Sequence, residues 1–242
     1  MKAAAFDLAR PTDLAEASAL LAQPGARPLA GGQSLGPMLN YRLVRPTLLV
    51  QLSGLPGMQG VQETADAVTI GAGVTHAAIA DGRVPDIGHN VLARVAEGIA
   101  YRAVRNRGTI GGSLCHADPA ADWVTTLTAL GAEVLTSSSR TVPMPAFIRG
   151  AFQTALHPGE LLVAVRVPRL SAEARWGYVK ACRKPGEFAH AMAAVLLDPA
   201  RGVRRAVVGA TGGAPEVFEG AFPPLPGLPG VVLHRALAEA SP

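Results

Sequence analysis

Cysteine is nearly missing from this chain: Cys115 and Cys182 are the only two among 242 residues. Two thiols cannot hold an iron–sulfur cluster, which takes four ligands, and they rule out a disulfide scaffold. Small reduced thiols of this kind fit the cytoplasm. Neither a CxxC pair nor an HExxH motif is present, so the familiar zinc signatures are missing too. Aromatic residues make up 5% of the chain and charged residues 17%. No run of about 18 uncharged apolar residues occurs, which excludes a membrane-spanning helix. The stretch before Asp7 and Arg10 has no long apolar core and does not read as a secretory signal. The net charge of +4 comes from scattered arginines. There is no basic run interleaved with aromatics, so nucleic-acid binding has no footprint.

What remains is rich in small apolar residues: 49% of the chain is hydrophobic and 27 residues are glycine. That composition describes a folded protein with a substantial core. Two glycine pairs stand in richer motifs. The first is Ala30-Gly31-Gly32-Gln33-Ser34-Leu35. The second is Thr109-Ile110-Gly111-Gly112-Ser113, running on through His116 and Asp118 to Asp122. A glycine pair with a small hydroxyl residue close behind lets backbone approach a ligand, and its N–H groups can bind phosphate oxygens. Two such loops suit a ligand long enough to touch both, such as a dinucleotide. Taken singly, each pair reads more readily as a tight turn.

The periodicity places these motifs. Leu14, Ala17, Leu20 and Leu21 form one stripe of a helix that Thr12 can cap. Residues 27–30 predict a short strand feeding Gly31-Gly32, and Ser34 begins a second helical piece through Leu43. Residues 47–52 and 68–70 predict strands. Gly71-Ala72-Gly73 with His76 is a broken GxGxxG, read as a strand, a turn and a helix capped by Thr75. Residues 90 to about 105 predict one helix, followed by the second glycine pair as a loop and a helix over 119–130. Residues 133–135 and 141–142 predict a hairpin, and 161–167 a strand. Beyond a polar seam at 171–173, residues 176–181, 189–197 and 203–210 predict three antiparallel strands. The proline-rich segment 222–230 predicts no regular structure, and a last helix covers 233–240.

Taken in order, these motifs resemble the FAD-binding medium subunit of molybdenum hydroxylases, the carbon monoxide dehydrogenase and xanthine dehydrogenase family. Leu29-Ala30-Gly31-Gly32-Gln33-Ser34-Leu35 resembles its first flavin motif. Arg105-Asn106-Arg107-Gly108-Thr109-Ile110-Gly111-Gly112-Ser113-Leu114, with Ala117-Asp118-Pro119-Ala120-Ala121-Asp122, resembles its second. Pro158-Gly159-Glu160-Leu161-Leu162 is similar to the close of its FAD domain, and Tyr178-Val179-Lys180 to the opening of its C-terminal domain. The likeness covers roughly residues 1 to 213. Gln33 stands where some relatives have histidine. After Gly212-Gly213-Ala214-Pro215 the family runs through a longer helical stretch, and here the proline-rich segment leads straight to Val231–Ala238.

The resemblance implies an α+β fold. A two-subdomain FAD-binding domain of the vanillyl-alcohol-oxidase (PCMH) type would span 1–170, with subdomains of about 1–55 and 56–170. A smaller, shortened C-terminal α+β domain with a three-stranded antiparallel sheet would span 171–242. It implies non-covalent FAD held by residues 30–35, by Thr109, Ile110, Gly111, Gly112 and Ser113, and by His116, Asp118, Asp122, Leu161, Leu162 and Lys180. Asp122 would meet ribityl or ribose hydroxyls, Lys180 the pyrimidine edge of the flavin, and Leu161 or Leu162 an apolar face. Backbone N–H groups of both glycine motifs would bind the diphosphate. No residue of this chain would be catalytic or ligate metal. The chain would be an oxidoreductase subunit that takes electrons from two [2Fe-2S] clusters on a small partner and passes them to NAD, a quinone or another acceptor. A large partner would hold a molybdopterin-type molybdenum cofactor, and the three would assemble as a dimer of heterotrimers. A stand-alone flavin oxidoreductase and a flavin-free scaffold subunit remain the alternatives.

Overall fold

Parallel pairing demands a long crossover between neighbouring strands, and the first fifty residues supply it. The computed structural model, which describes residues 2–241, begins with β1 (Asp7–Ala9), α1 (Leu14–Leu21), β2 (Ala26–Leu29), α2 (Leu35–Asn40) and β3 (Leu48–Gln51). β3 lies between β1 and β2 and pairs in parallel with both. Its Leu49 and Val50 are buried. Asp13, not Thr12, caps α1: its carboxylate accepts the Glu16 N–H at 2.8 Å. Thr12 instead donates its N–H and hydroxyl to the Glu16 carboxylate. The result is a reciprocal cap with its members shifted by one residue.

The middle of the chain builds a five-stranded antiparallel sheet surrounded by helices. Its elements are β4 (Val61–Glu63), β5 (Ala67–Gly71), α3 (His76–Ala80), α4 (Val91–Glu97), α5 (Arg102–Arg105), α6 (Ile110–His116), α7 (Asp122–Leu130), β6 (Glu133–Thr136), β7 (Thr141–Pro143), α8 (Met144–Phe147), a small ribbon of β8 (Ile148–Gly150) and β9 (Gln153–Thr154), and β10 (Leu162–Pro168). The strand order is β4-β5-β10-β6-β7. Thr75 caps α3 as its sequence position predicts, accepting the Ala78 N–H at 3.1 Å. The helix expected over 90–105 is broken. Gly98 closes α4, Ala100 takes a left-handed φ of 45°, and α5 restarts at Arg102. The second glycine pair is not a loop either. It forms the first turn of α6, capped by the Thr109 hydroxyl.

The last part holds β11 (Arg175–Ala181), β12 (Ala191–Asp198), β13 (Val203–Gly209), β14 (Glu216–Glu219) and α9 (Gly227–Glu239). The three strands read from the sequence pair antiparallel, and β14 joins as a fourth at the β13 edge. α9 starts inside the proline-rich segment and contains Pro229. Proline is tolerated there because the first N–H groups of a helix have no intrahelical acceptor. α9 lies directly on β11: a Cβ at Gly177 would stand 1.9 Å from the Ala236 carbonyl oxygen. α7 is buried along its whole length and packs against β10 of one sheet and β12 and β13 of the other. It therefore links the two parts of the molecule. No helix among the described residues is long and apolar enough to cross a membrane.

Candidate functional site

The two glycine motifs, far apart in sequence, touch. Gly31 carries the Arg107–Gly108 turn against its Cα: a Cβ there would lie 2.0 Å from the Arg107 carbonyl oxygen and 2.8 Å from Gly108 Cα. A Cβ on Gly112 would stand 3.6 Å from Ala30 Cβ. Gly32 takes a φ of +70°, which a residue with a side chain adopts only at a cost. The Gln33 amide donates to the Gly31 carbonyl at 3.1 Å and braces the loop. Among the described residues, no protein group accepts the backbone N–H of Gly31, Gly32, Gln33 or Ser34. These residues are half-buried, so their N–H groups must be met by water or by a ligand. Four in succession, one of them at a left-handed glycine, leave a run of backbone donors available to an anion. Ala30 and Leu35 flank this loop and are half-buried.

The second motif contributes differently from the expectation. The Ile110 N–H is bonded to the Val74 carbonyl and that of Gly111 to the Ala72 carbonyl, both at 3.0 Å. The Gly112 N–H is bonded to Thr109 Oγ1 and that of Ser113 to the Thr109 carbonyl. The expected donors of Gly111, Gly112 and Ser113 are thus engaged within the protein. The glycines serve packing: a Cβ on Gly111 would meet Ala72 Cβ at 2.5 Å. Thr109 is buried and its hydroxyl caps α6, while the half-buried Ser113 hydroxyl has no protein partner among the described residues. Ile110 is fully buried and offers no side chain. Leu161 and Leu162 are 4% and 3% exposed within the main core, so their side chains do not form a cofactor face. Asp118 accepts the Ala120 N–H at 2.9 Å and shapes its own turn. The His116 ring packs on Phe152, with centroids 5.2 Å apart.

Asp122 and Lys180 meet each other. Lys180 Nζ, on β11, lies 2.9 and 3.1 Å from the two carboxylate oxygens of Asp122, at the start of α7. The side chains are 11% and 5% exposed. The Tyr178 hydroxyl donates to the same carboxylate at 2.8 Å. Burial, and then the Asp122 charge, push the Tyr178 phenol well above its ordinary range, so it stays a donor. Lys180 also borders a cleft of about 400 Å3, lined among others by Gly98, Ala100, Arg105 and Cys182. A larger cleft where β11 begins and β12 turns into β13, between Glu173, Arg175 and Gly202, holds none of these residues. Cys115 packs on the core, and burial pushes its thiol up to about 12.

Two residues of the site escaped the sequence reading. His76, at the would-be third glycine, is buried and accepts the Trp123 indole N–H on Nδ1 at 3.0 Å. Burial first, and the Arg105 guanidinium second, lower it to about 4, so it is a neutral acceptor. A Cβ on Gly108 would lie 2.9 Å from its ring, so His76 supports the turn before the second motif. Arg105, inside that motif, donates from Nη1 to the carbonyls of Ile99 and Ala100, both at 2.9 Å. A histidine breaking a glycine fingerprint was the available signal for the first. Arg105 opens the second motif as it stands in the sequence, but nothing in the pattern marks its role at the turn.

Residues 4–170 match a family described as the FAD binding domain in molybdopterin dehydrogenase. The chain is 36% identical over 203 residues to the caffeine dehydrogenase subunit beta of Pseudomonas sp. (strain CBB1), covering 81% of this chain and 69% of that one. It is 38% identical over 202 residues to the carbon monoxide dehydrogenase medium chain of Afipia carboxidovorans, covering 81% and 70%. Among solved structures, reconstituted CO dehydrogenase from Oligotropha carboxidovorans superposes with a TM-score of 0.89 at 29% identity, over 99% of each chain. Quinoline 2-oxidoreductase from Pseudomonas putida 86 gives 0.82 at 36% identity, over 90% of this chain and 78% of that one.

Proposed function

The chain belongs to the family of FAD-binding domains of molybdopterin dehydrogenases, as the FAD-binding medium subunit of an oxidoreductase, and from this premise we propose that it carries electrons between partner chains and an acceptor. In this reading a small partner with two [2Fe-2S] clusters supplies the electrons, and NAD, a quinone or another acceptor receives them. A large partner holds the molybdenum cofactor and oxidises the substrate, and the three chains form a dimer of heterotrimers. The relatives named as medium chains or subunits support the need for partners.

One observation carries the proposal: four consecutive unpartnered N–H groups at Gly31–Ser34, resting against the second glycine motif. A diphosphate needs convergent N–H donors more than it needs cations, so the loop fits FAD. Bound FAD supplies a ring that accepts electrons singly and releases them in pairs. The residues divide the work of holding it. The loop N–H groups take the diphosphate, and the Thr109 and Ser113 hydroxyls add bonds beside it. Asp122, paired with Lys180, accepts from sugar hydroxyls. Lys180 and its cleft receive the polar edge of the ring. Leu161 and Leu162 act from behind, through the core.

The test is the cofactor content of the complex purified with its partner chains. FAD released on denaturation, with molybdenum and iron present, is the expected result. A fully assembled complex without FAD defeats the proposal. Turnover of a substrate by this chain alone would favour a stand-alone flavin oxidoreductase instead.

A further inference from the structure

Three cations line the cleft beside Lys180, and two of them are neutralised. Lys180 holds Asp122 at 2.9 and 3.1 Å. Arg102 holds Asp81 through two bonds, of 2.6 and 2.8 Å. Arg105 is different. Among the described residues it has no carboxylate within salt-bridge reach. Its Nη1 bonds two backbone carbonyls, and its buried Nε has no acceptor. The guanidinium is half-buried, so water screens it only in part. Glu97, the one carboxylate on the cleft lining among the described residues, is exposed and well screened. The field of Arg105 is felt nearby: after burial, it is what holds the His76 imidazole down, and it adds a last, smaller share to the lowering of Asp81, which Arg102 already pairs.

The carbonyls that Arg105 binds belong to a turn that needs holding. Ala100 takes a φ of 45°, where a side chain is strained. On the turn's other side stands Gly186, bridged to Ile99, where a Cβ would come within 2.7 Å of the Ala100 carbonyl oxygen. Arg105 and Gly186 therefore clamp the Ile99–Ala100 turn between the FAD-binding part and the C-terminal sheet.

We propose that Arg105, rather than Lys180, supplies the unneutralised positive charge that stabilises the reduced flavin, and that its fork also fixes the Ile99–Ala100 turn at the cleft. The inference rests on the placement of the flavin ring proposed above. Reduction adds negative charge to the ring, and a fixed cation favours that state. An ion-paired lysine contributes little, because the field of its partner cancels most of its own.

The experiment is a spectroelectrochemical titration of the flavin in the assembled complex. It compares the native protein with Arg105→Gln, Arg105→Met and Arg105→Lys. The neutral variants lower the equilibrium constant for flavin reduction about tenfold, the order one charge produces across a partly solvated cleft. Arg105→Lys keeps the charge and restores most of the native value. Loss of FAD from both neutral variants, with its return in Arg105→Lys, supports the same assignment. A neutral variant that retains FAD at the native potential overturns it, and so does loss of FAD from all three. Absence of FAD from the native complex is a separate outcome, which defeats the functional proposal beneath it.

Discussion

A single methyl group decides whether the two glycine motifs can touch. At Gly31 that methyl would sit 2.0 Å from a backbone oxygen, which cannot swing aside as a side chain can. Gly31→Ala therefore pushes the first loop off the Arg107–Gly108 turn. The expected cost is about 1–3 kcal/mol of stability, and FAD content of the complex should fall with it. Gly36, which has open space around its Cα, is the control: Gly36→Ala should leave FAD in place. His76 sets a second test at this scale. Its pKa falls from the ordinary 6.5 to about 4, chiefly through burial. Below pH 6.5 the unfolded chain takes up a proton that the folded chain refuses, so stability declines as pH drops toward about 4. The loss approaches roughly 3 kcal/mol by then. Urea midpoints across that range should slope steeply for the native chain. In His76→Gln, which can still accept from Trp123, the slope should flatten.

Elements were legible where side-chain period and local chemistry agreed. Thr75 before an apolar run marked the start of α3, and the β-branched stretch at 161–167 marked β10. The strand that feeds Gly31 showed itself because proline and glycine bounded it. The failures share a cause: contacts distant in sequence overrode local preference. Gly111-Gly112 reads as a loop in isolation, yet the pair enters α6 because only glycine fits against Ala72. Residues 90–105 read as one helix, yet Arg105 and Gly186 hold Ile99–Ala100 out of it. The proline-rich tail reads as irregular, yet α9 starts at Gly227 because β11 offers it a seat. Gly177 makes that seat, with the Ala236 carbonyl where a Cβ would be. Gly177→Ala should lift α9 from the sheet and cost about 1–3 kcal/mol. Proteolysis should then cut first within α9, while β11–β13 stay protected. Equal cleavage across the whole chain would show that α9 is no separate unit.

At the scale of the molecule, one buried ion pair ties the cofactor-binding part to the C-terminal sheet. Asp122 opens α7 and Lys180 lies on β11, with the Tyr178 hydroxyl completing the carboxylate's partners. Desolvating two charges is expensive, so such a pair need not add net stability, but breaking it leaves a charge stranded. Asp122→Asn should therefore cost about 3–5 kcal/mol, and Lys180→Met a similar amount. The double variant should recover most of either loss, because neither charge then remains. A surface pair behaves otherwise: it is worth at most about 1 kcal/mol and fades in salt. Denaturant midpoints of the FAD-free chain at low and high salt separate the two cases. A strong, salt-insensitive coupling in the double-mutant cycle means that the two parts communicate through this contact. Additive losses that shrink in salt would mean that packing of α7 on β12 and β13 alone holds them together. The same carboxylate is proposed to meet FAD, so the coupling also sets what cofactor binding can transmit. If Asp122 turns toward a sugar hydroxyl when FAD binds, its hold on Lys180 weakens, and the C-terminal sheet is released in proportion to the coupling measured.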